Sequence, residues 1–282
     1  MKNRVIAFLS ILMVSSTFLI SCQDDDNDPQ VPTTQVTTSK QFEEVEAANT
    51  EITTTVETVF GSESGFLPAT GKFANKMPDC ATITSEVIDS TRTIVIDFGD
   101  GCEVNGETIS GSIRMSFAIE LDGENKALIS YSLENFVYND ITVSGSATTT
   151  FTFNNNMTDG SYSSNYATTS DFTFAWADGM TATSQTNFSN ETFFNINPDN
   201  PEEFEYYSLN SGSSSTTFSN GDIYSVEITT PLRNERGCAY IVSGAIVTNE
   251  NSETTTLDFG DGECDNIAIQ TDGDGNETTI EL

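Results

Sequence analysis

From Cys80 onward the chain is a succession of strand-length runs in which apolar and polar residues take turns. TIVIDF, SGSIRMSFAIEL, KALISYSLENFVY, ITVSGSATTTFTF, DFTFAWA, DIYSVEITT, CAYIVSGAIV and TTTLDF are rich in Val, Ile, Thr, Phe and Tyr, the residues that fit a pleated, half-buried surface. In DFTFAWA, Phe172, Phe174 and Trp176 share one face while Thr173 and Ala175 take the other, as in a sheet with one apolar side. Polar turn segments such as DGEN, NNNMTDG, ADG, SNGD and DGDGN separate the runs. They are too short for crossover helices, so the strands should pair antiparallel. No proline falls between Pro78 and Pro198, which leaves that stretch free to form hydrogen-bonded ladders. The expected fold is all-β, a large antiparallel meander, open or curled, over residues 80–282. NPDNPEE (197–203) is its best candidate for a long loop or hinge.

One segment has a different period. In SKQFEEVEAANTEITTTVETVF, the apolar residues Phe42, Val45, Ile52, Val56 and Val59 recur at steps of three and four, interrupted only by Asn49. Thr38 or Ser39 can cap a helix there, and the early acids suit its dipole. The TTTV run argues the other way, because β-branched residues favour strands. A helix over 38–60, laid against the sheet, is the expectation. Residues 61–79 (GSESGFLPATGKFANKMPD) read as loop.

The first residues set an address. MKNR is basic, VIAFLSILMVSSTFLI is apolar and too short to favour a permanent span, and a small residue precedes Cys22. Residues 1–21 therefore read as a signal peptide. FLISC resembles the lipobox of bacterial lipoproteins, which implies cleavage before Cys22 and a lipid on its sulfur. QDDDNDP, directly after, resembles the surface-export signal of some Gram-negative lipoproteins. With its prolines, acids and TTQVTT, the stretch 22–37 cannot form a core and reads as a disordered, acidic tether.

Charge and cysteine content narrow the chemistry. The chain carries 43 acidic and 10 basic side chains, a net of −33; loss of Lys2 and Arg4 with the signal peptide takes it to −35. Such a surface repels phosphate backbones, so nucleic acid is not an expected partner. The absence of histidine removes Ser-His-Asp and Cys-His catalysis and the usual zinc sites, and no cofactor is expected. With Cys22 lipidated, Cys80, Cys102, Cys238 and Cys264 remain, an even number that reads as two disulfides with three connectivities open.

The cysteines flank a repeated segment. TIVIDFGDGC (93–102) returns as TTTLDFGDGEC (254–264), with Cys80 and Cys238 upstream of the two copies. Each copy reads as a hairpin, the first cornered by Asp89-Ser90-Thr91 and the second by TNENSE. Local pairing, Cys80 with Cys102 and Cys238 with Cys264, would staple each hairpin at about 3 kcal/mol per bridge on the chain-entropy model. Asp97, Asp100, Asp258 and Asp261, with Glu263, are weak calcium candidates. Two carboxylates fall short of the six to eight oxygens that calcium takes, and Asp-Gly with Gly99 or Gly260 suits a tight turn or bulge better. Asp272 and Asp274 in TDGDGNETTIEL imitate a calcium loop but lack the glycine at the sixth position and the Glu at the twelfth. A hairpin turn between NIAIQ and ETTIEL explains them better.

In their order along the chain, the lipobox, the acid cluster, Cys80, TIVIDFGDGC, SGSIRMSF, LENFVYNDITVSGSATTT, ITTPL, Cys238 and TLDFGDGECDNIAI resemble the β-rich surface lipoproteins of Gram-negative bacteria. The resemblance implies a lipid-anchored protein on the outer face of the outer membrane and a β fold, and it implies no activity. Glu107-Thr108 stands where that pattern often has a basic residue. No GxSxG, phosphate loop or recognisable glycosidase acid pair occurs. Trp176, Tyr131, Tyr138, Tyr206, Tyr207 and Tyr224 could stack sugars, though in β chains such residues more often pack across strands. Asp89-Ser90-Thr91 also resembles an O-glycosylation acceptor. The functional expectation is a non-catalytic binding or display protein, taking a glycan or an apolar ligand on the open sheet face. The rivals are an extracellular hydrolase using carboxylates or calcium, and a structural envelope component.

Overall fold

A computed structural model describes residues 33–65, 77–120, 122–123, 125–156, 161–196 and 204–282. Helix α1 spans Thr33–Glu63. It is followed by β1 (Thr82–Ile88), β2 (Thr91–Asp97), β3 (Cys102–Val104), β4 (Glu107–Ala118), β5 (Lys126–Tyr138), β6 (Ile141–Asn156) and β7 (Ser161–Ala175). Then come β8 (Thr181–Ile196), β9 (Phe204–Phe218), β10 (Ile223–Glu235), β11 (Ile241–Glu250), β12 (Glu253–Asp261), β13 (Ile267–Thr271) and β14 (Glu277–Glu281).

The strands form one antiparallel sheet in chain order, with β3 extending the line of β2 along β4. β1 and β14 are its two edges and do not pair, so the sheet is open. This is the expected meander with one helix. Two-residue corners with positive φ connect some strands, Asp89-Ser90 between β1 and β2 and Asn139-Asp140 between β5 and β6. That conformation matches the twist of the flanking strands.

Helix α1 begins earlier and ends later than the apolar period predicts. Its first residues, 33–37, belong to the stretch read as tether, and its last, 61–63, to the stretch read as loop. A polar segment with no core of its own can continue a helix nucleated by a packed neighbour, which periodicity does not register. Residues 22–32, 66–76 and the proposed hinge 197–203 lie outside the described residues, as does the signal segment 1–21.

What makes a threonine-rich segment helical is burial. Val45, Ile52, Val56, Val59 and Phe60 are fully buried and Phe42 nearly so. At about 1.5–3 kcal/mol for each such side chain, packing outweighs the ~0.7 kcal/mol per residue that Thr and Val cost in a helix. Phe60 meets Phe117 of β4 and Phe151 of β6, with ring centroids 4.9 and 5.0 Å away. Phe42 stacks on Tyr224 of β10 at 4.9 Å. Arg92 of β2 donates to the Glu63 carbonyl, Asn105 of the β3–β4 turn reaches Glu51, and Asn49 donates to Ser184 of β8 at 3.1 Å. Strands from β2 to β10 thus contact one helix, and the sheet curls around it. None of the described helices is long and apolar enough to cross a membrane.

The curl is concentrated at glycines. The ladders β6–β7, β7–β8 and β8–β9 run without a register shift. Shifts occur in the β4–β5, β5–β6, β9–β10 and β11–β12 ladders beside Gly111, Gly145, Gly212 and Gly244, all at positive φ, and at three places in the β10–β11 ladder between Ile228 and Asn234. Gly145 and Gly212 face Phe172 and Phe188 across the sheet. A Cβ on Gly145 would lie 2.2 Å from the Asp171 carbonyl oxygen, and one on Gly212 would lie 2.1 Å from that of Asn187. Only glycine allows that approach, which bends the strand and lets an aromatic ring close over the gap.

Candidate functional site

Cys80 and Cys102 stand at disulfide distance with Cα atoms 5.5 Å apart, and Cys238 and Cys264 with Cα atoms 5.7 Å apart. Each bridge closes its own hairpin. Cys22 lies outside the described residues.

The repeated DFGDG segments take the same local form. Asp97 accepts a 2.8 Å hydrogen bond from the Gly99 amide, and Asp258 one of 2.8 Å from the Gly260 amide. The phenylalanine of each copy, Phe98 or Phe259, is buried in the core. Asp100 and Asp261 are exposed at the corner. Asp97 braces the turn after β2 and Asp258 a bulge near the end of β12, and the phenylalanine anchors each to the sheet. Asp272 accepts from the Asp274 and Asn276 amides at 3.0 and 2.8 Å, and Asn276 holds its carboxyl below the usual range. It shapes the β13–β14 hairpin. Among the described residues, no group of three or more His, Cys, Asp or Glu gathers around a metal-sized point.

The aromatic residues do not form a flat platform. Tyr131, Tyr138 and Tyr224 are buried, and burial pushes the Tyr131 and Tyr224 hydroxyls up to about 12. Trp176 packs between Phe174 and Phe218 and donates to Glu44 at 2.8 Å. Tyr207 stacks on Phe193 under the Arg233 guanidinium, 4.0 Å above its ring. Tyr206 lies on the opposite face beside Phe194.

The feature with room for a ligand lies elsewhere, between α1 and the inner face of β7–β11. It is a cavity of about 300 Å³. One stripe of the helix forms its polar wall: Glu46, Asn49, Thr50, Thr53, Thr54 and Glu57. These residues recur at three- and four-residue steps, so a helix must set them in line. Phe188, Val226, Ile228, Leu232, Ile241 and Ile246 form an apolar wall on the sheet. Tyr166, Thr168, Asn190, Asn210 and Asn234 complete the lining with polar groups.

The electrostatics of the helical wall are unusual. Burial raises the Glu46 carboxyl to about 7, partly offset by the Ser214 hydroxyl, and raises Glu57 to about 8. Among the described residues, no hydrogen bond satisfies either Glu46 oxygen or the nearby Ser214 hydroxyl, and the Asn49, Tyr166 and Asn234 side-chain oxygens are also buried and unpaired. Buried polar atoms are ordinarily satisfied, and each unpaired one costs about 1–3 kcal/mol. Among the described residues, no lysine or arginine lines the cavity. It therefore presents acceptors and latent negative charge opposite a hydrocarbon wall.

None of these lining residues stood out in the sequence, although a signal was there. The interval Glu46–Asn49–Thr50–Thr53–Glu57 is a second helical stripe, polar where the first is apolar. Asn49, the intruder in the apolar period, sits at the border of the two. Comparison with protein-family models, curated proteins and solved structures finds no match.

Proposed function

We propose that this chain is a surface lipoprotein, anchored through Cys22, that binds a small amphipathic molecule in the cavity between α1 and the sheet. The cavity carries the reading: about 300 Å³, one apolar wall, one polar wall, and buried polar atoms left without partners. Ligand sites elsewhere share that combination of apolar lining with a few convergent polar groups. The expected sheet-face site gives way to this interior one, because Tyr131, Tyr138 and Tyr224 are buried, Trp176 packs against the core, and Tyr206 and Tyr207 lie on opposite faces.

Glu46 and Glu57 also raise the two-carboxylate hydrolase. Eleven residues along a helix separate them by about 16 Å, whereas glycosidase carboxyls lie roughly 5–9.5 Å apart. That spacing supports binding over acid–base work on one bond.

A neutral fluorescent probe, N-phenyl-1-naphthylamine, tests the reading on the chain from residue 23, exported so that its disulfides form. The expected result is saturable one-to-one enhancement that Thr54→Trp, which fills the cavity from the helix, abolishes while leaving the circular dichroism unchanged. Absence of saturable binding, or equal binding by the Thr54→Trp protein, contradicts it.

A further inference from the structure

The helical wall of the cavity carries two carboxyls with a fixed spacing. Eleven residues make three turns plus about 20°, so Glu46 and Glu57 point in nearly the same direction, about 16 Å apart along α1. Both line the same cavity, whose volume of about 300 Å³ would hold roughly ten waters. Its helical wall runs three turns, long enough for one extended chain to reach both acids.

The lining says what the ends of such a chain should be. Both oxygens of Glu46 are unpaired, as is Oδ1 of Asn49, whose amide nitrogen is already committed to Ser184. Glu46 is 5% exposed and Asn49 7%, so both are largely withdrawn from solvent. Once Glu46 is ionised these atoms only accept, and among the described residues no lysine or arginine lines the cavity to meet them. A buried carboxylate is strongly disfavoured unless an opposite charge accompanies it. An ammonium group supplies both the charge and the N–H donors. Between the two acids the helix offers Thr50, Thr53 and Thr54, while Val226, Ile228 and Ile246 provide hydrocarbon contact from the sheet. The net charge of −33 would also draw cations toward the molecule.

We propose that the cavity takes a linear aliphatic diamine or polyamine, its terminal ammonium groups paired with Glu46 and Glu57. The proposal rests on the cavity being a ligand site and adds the chemical class of the ligand.

The test is calorimetric titration of the exported chain from residue 23, at about pH 8.5, where aliphatic amines are still charged. The probes are the four-carbon and twelve-carbon α,ω-diamines and the twelve-carbon α,ω-diol. The twelve-carbon diamine should bind about tenfold or more tighter than either of the others. Glu46→Gln and Glu57→Gln should each weaken it by about tenfold, and weaken the diol several-fold less. If diol and diamine bind equally, or the Gln proteins keep full diamine affinity, the amine assignment is overturned while the cavity reading stands. If neither these probes nor the neutral naphthylamine binds, both fall together.

Discussion

Glu46→Gln raises the melting temperature at pH 8 by roughly 6–12 °C and changes it far less at pH 5. In the folded chain the Glu46 carboxyl titrates at about 7, against 4.5 for an unperturbed glutamate. Between those values the native state holds a proton that the unfolded state has released. Stability is therefore full below the lower value and declines as pH rises through the higher one. At 1.36 kcal/mol per pH unit, the loss is about 3 kcal/mol. Glutamine matches the shape of the protonated acid and cannot ionise, so it removes the decline. A change of 1 kcal/mol moves the midpoint of a domain this large by about 2–4 °C. Glu57→Gln should act in the same direction, with its slope carried up to about pH 8. The tyrosines beside Glu57, Tyr131 and Tyr166, are themselves held above their usual range and stay neutral throughout. Melting curves for the parent and both Gln proteins from pH 5 to 8.5 check this. Parallel curves would mean that these carboxyls are hydrated and not buried.

The second large effect is structural. Gly145→Ala should cost roughly 3–4 kcal/mol in urea unfolding, from strained backbone and from overlap with the neighbouring strand. Gly179→Ala is the control. Its φ of +92° is just as unfavourable for alanine, but nothing lies within 4 Å of its would-be Cβ. It should cost about 1–2 kcal/mol, the backbone strain alone. Gly212→Ala should resemble Gly145→Ala and in addition displace Phe188, which lines the cavity. Equal losses at Gly145 and Gly179 would deny that close strand approach bends the sheet.

Much of the fold is legible from alternation, and the exceptions share one cause. KALISYSLENFVY is β5 to the residue, because Ala127, Ile129, Tyr131, Phe136 and Tyr138 alternate into the core. β8, β9 and the first half of β7 escaped, although they belong to the longest and most regular ladders. Their outward residues are mostly Ser, Thr, Asn and Gln, with Glu191, Phe193, Tyr207 and Leu209 among them, and many of their inward residues are polar as well. Ser184, Ser214 and Thr216 are buried, and Asn190, Ser208 and Asn210 line the cavity. A strand that is polar on both faces carries no period-two hydrophobic signal, whatever its backbone does. Polar inward residues on these strands and a polar stripe on α1 are two sides of the same cavity. The site was hidden in the sequence for the reason that makes it a candidate site. The DFGDG copies show the opposite case, since Asp-Gly spacing alone was enough to read a turn or bulge, which Asp97 braces after β2 and Asp258 within β12.

The most direct test of an interior ligand site is methyl NMR of the isoleucine-labelled protein during titration with N-phenyl-1-naphthylamine. Ile228, Ile241 and Ile246 line the cavity; Ile94, Ile96 and Ile113 are buried in β2 and β4; Ile88, Ile267 and Ile269 are exposed. The account predicts saturating shifts confined to the first three. Shifts at Ile88, Ile267 or Ile269 with Ile228, Ile241 and Ile246 unmoved would place the ligand on the outside of the sheet and contradict it.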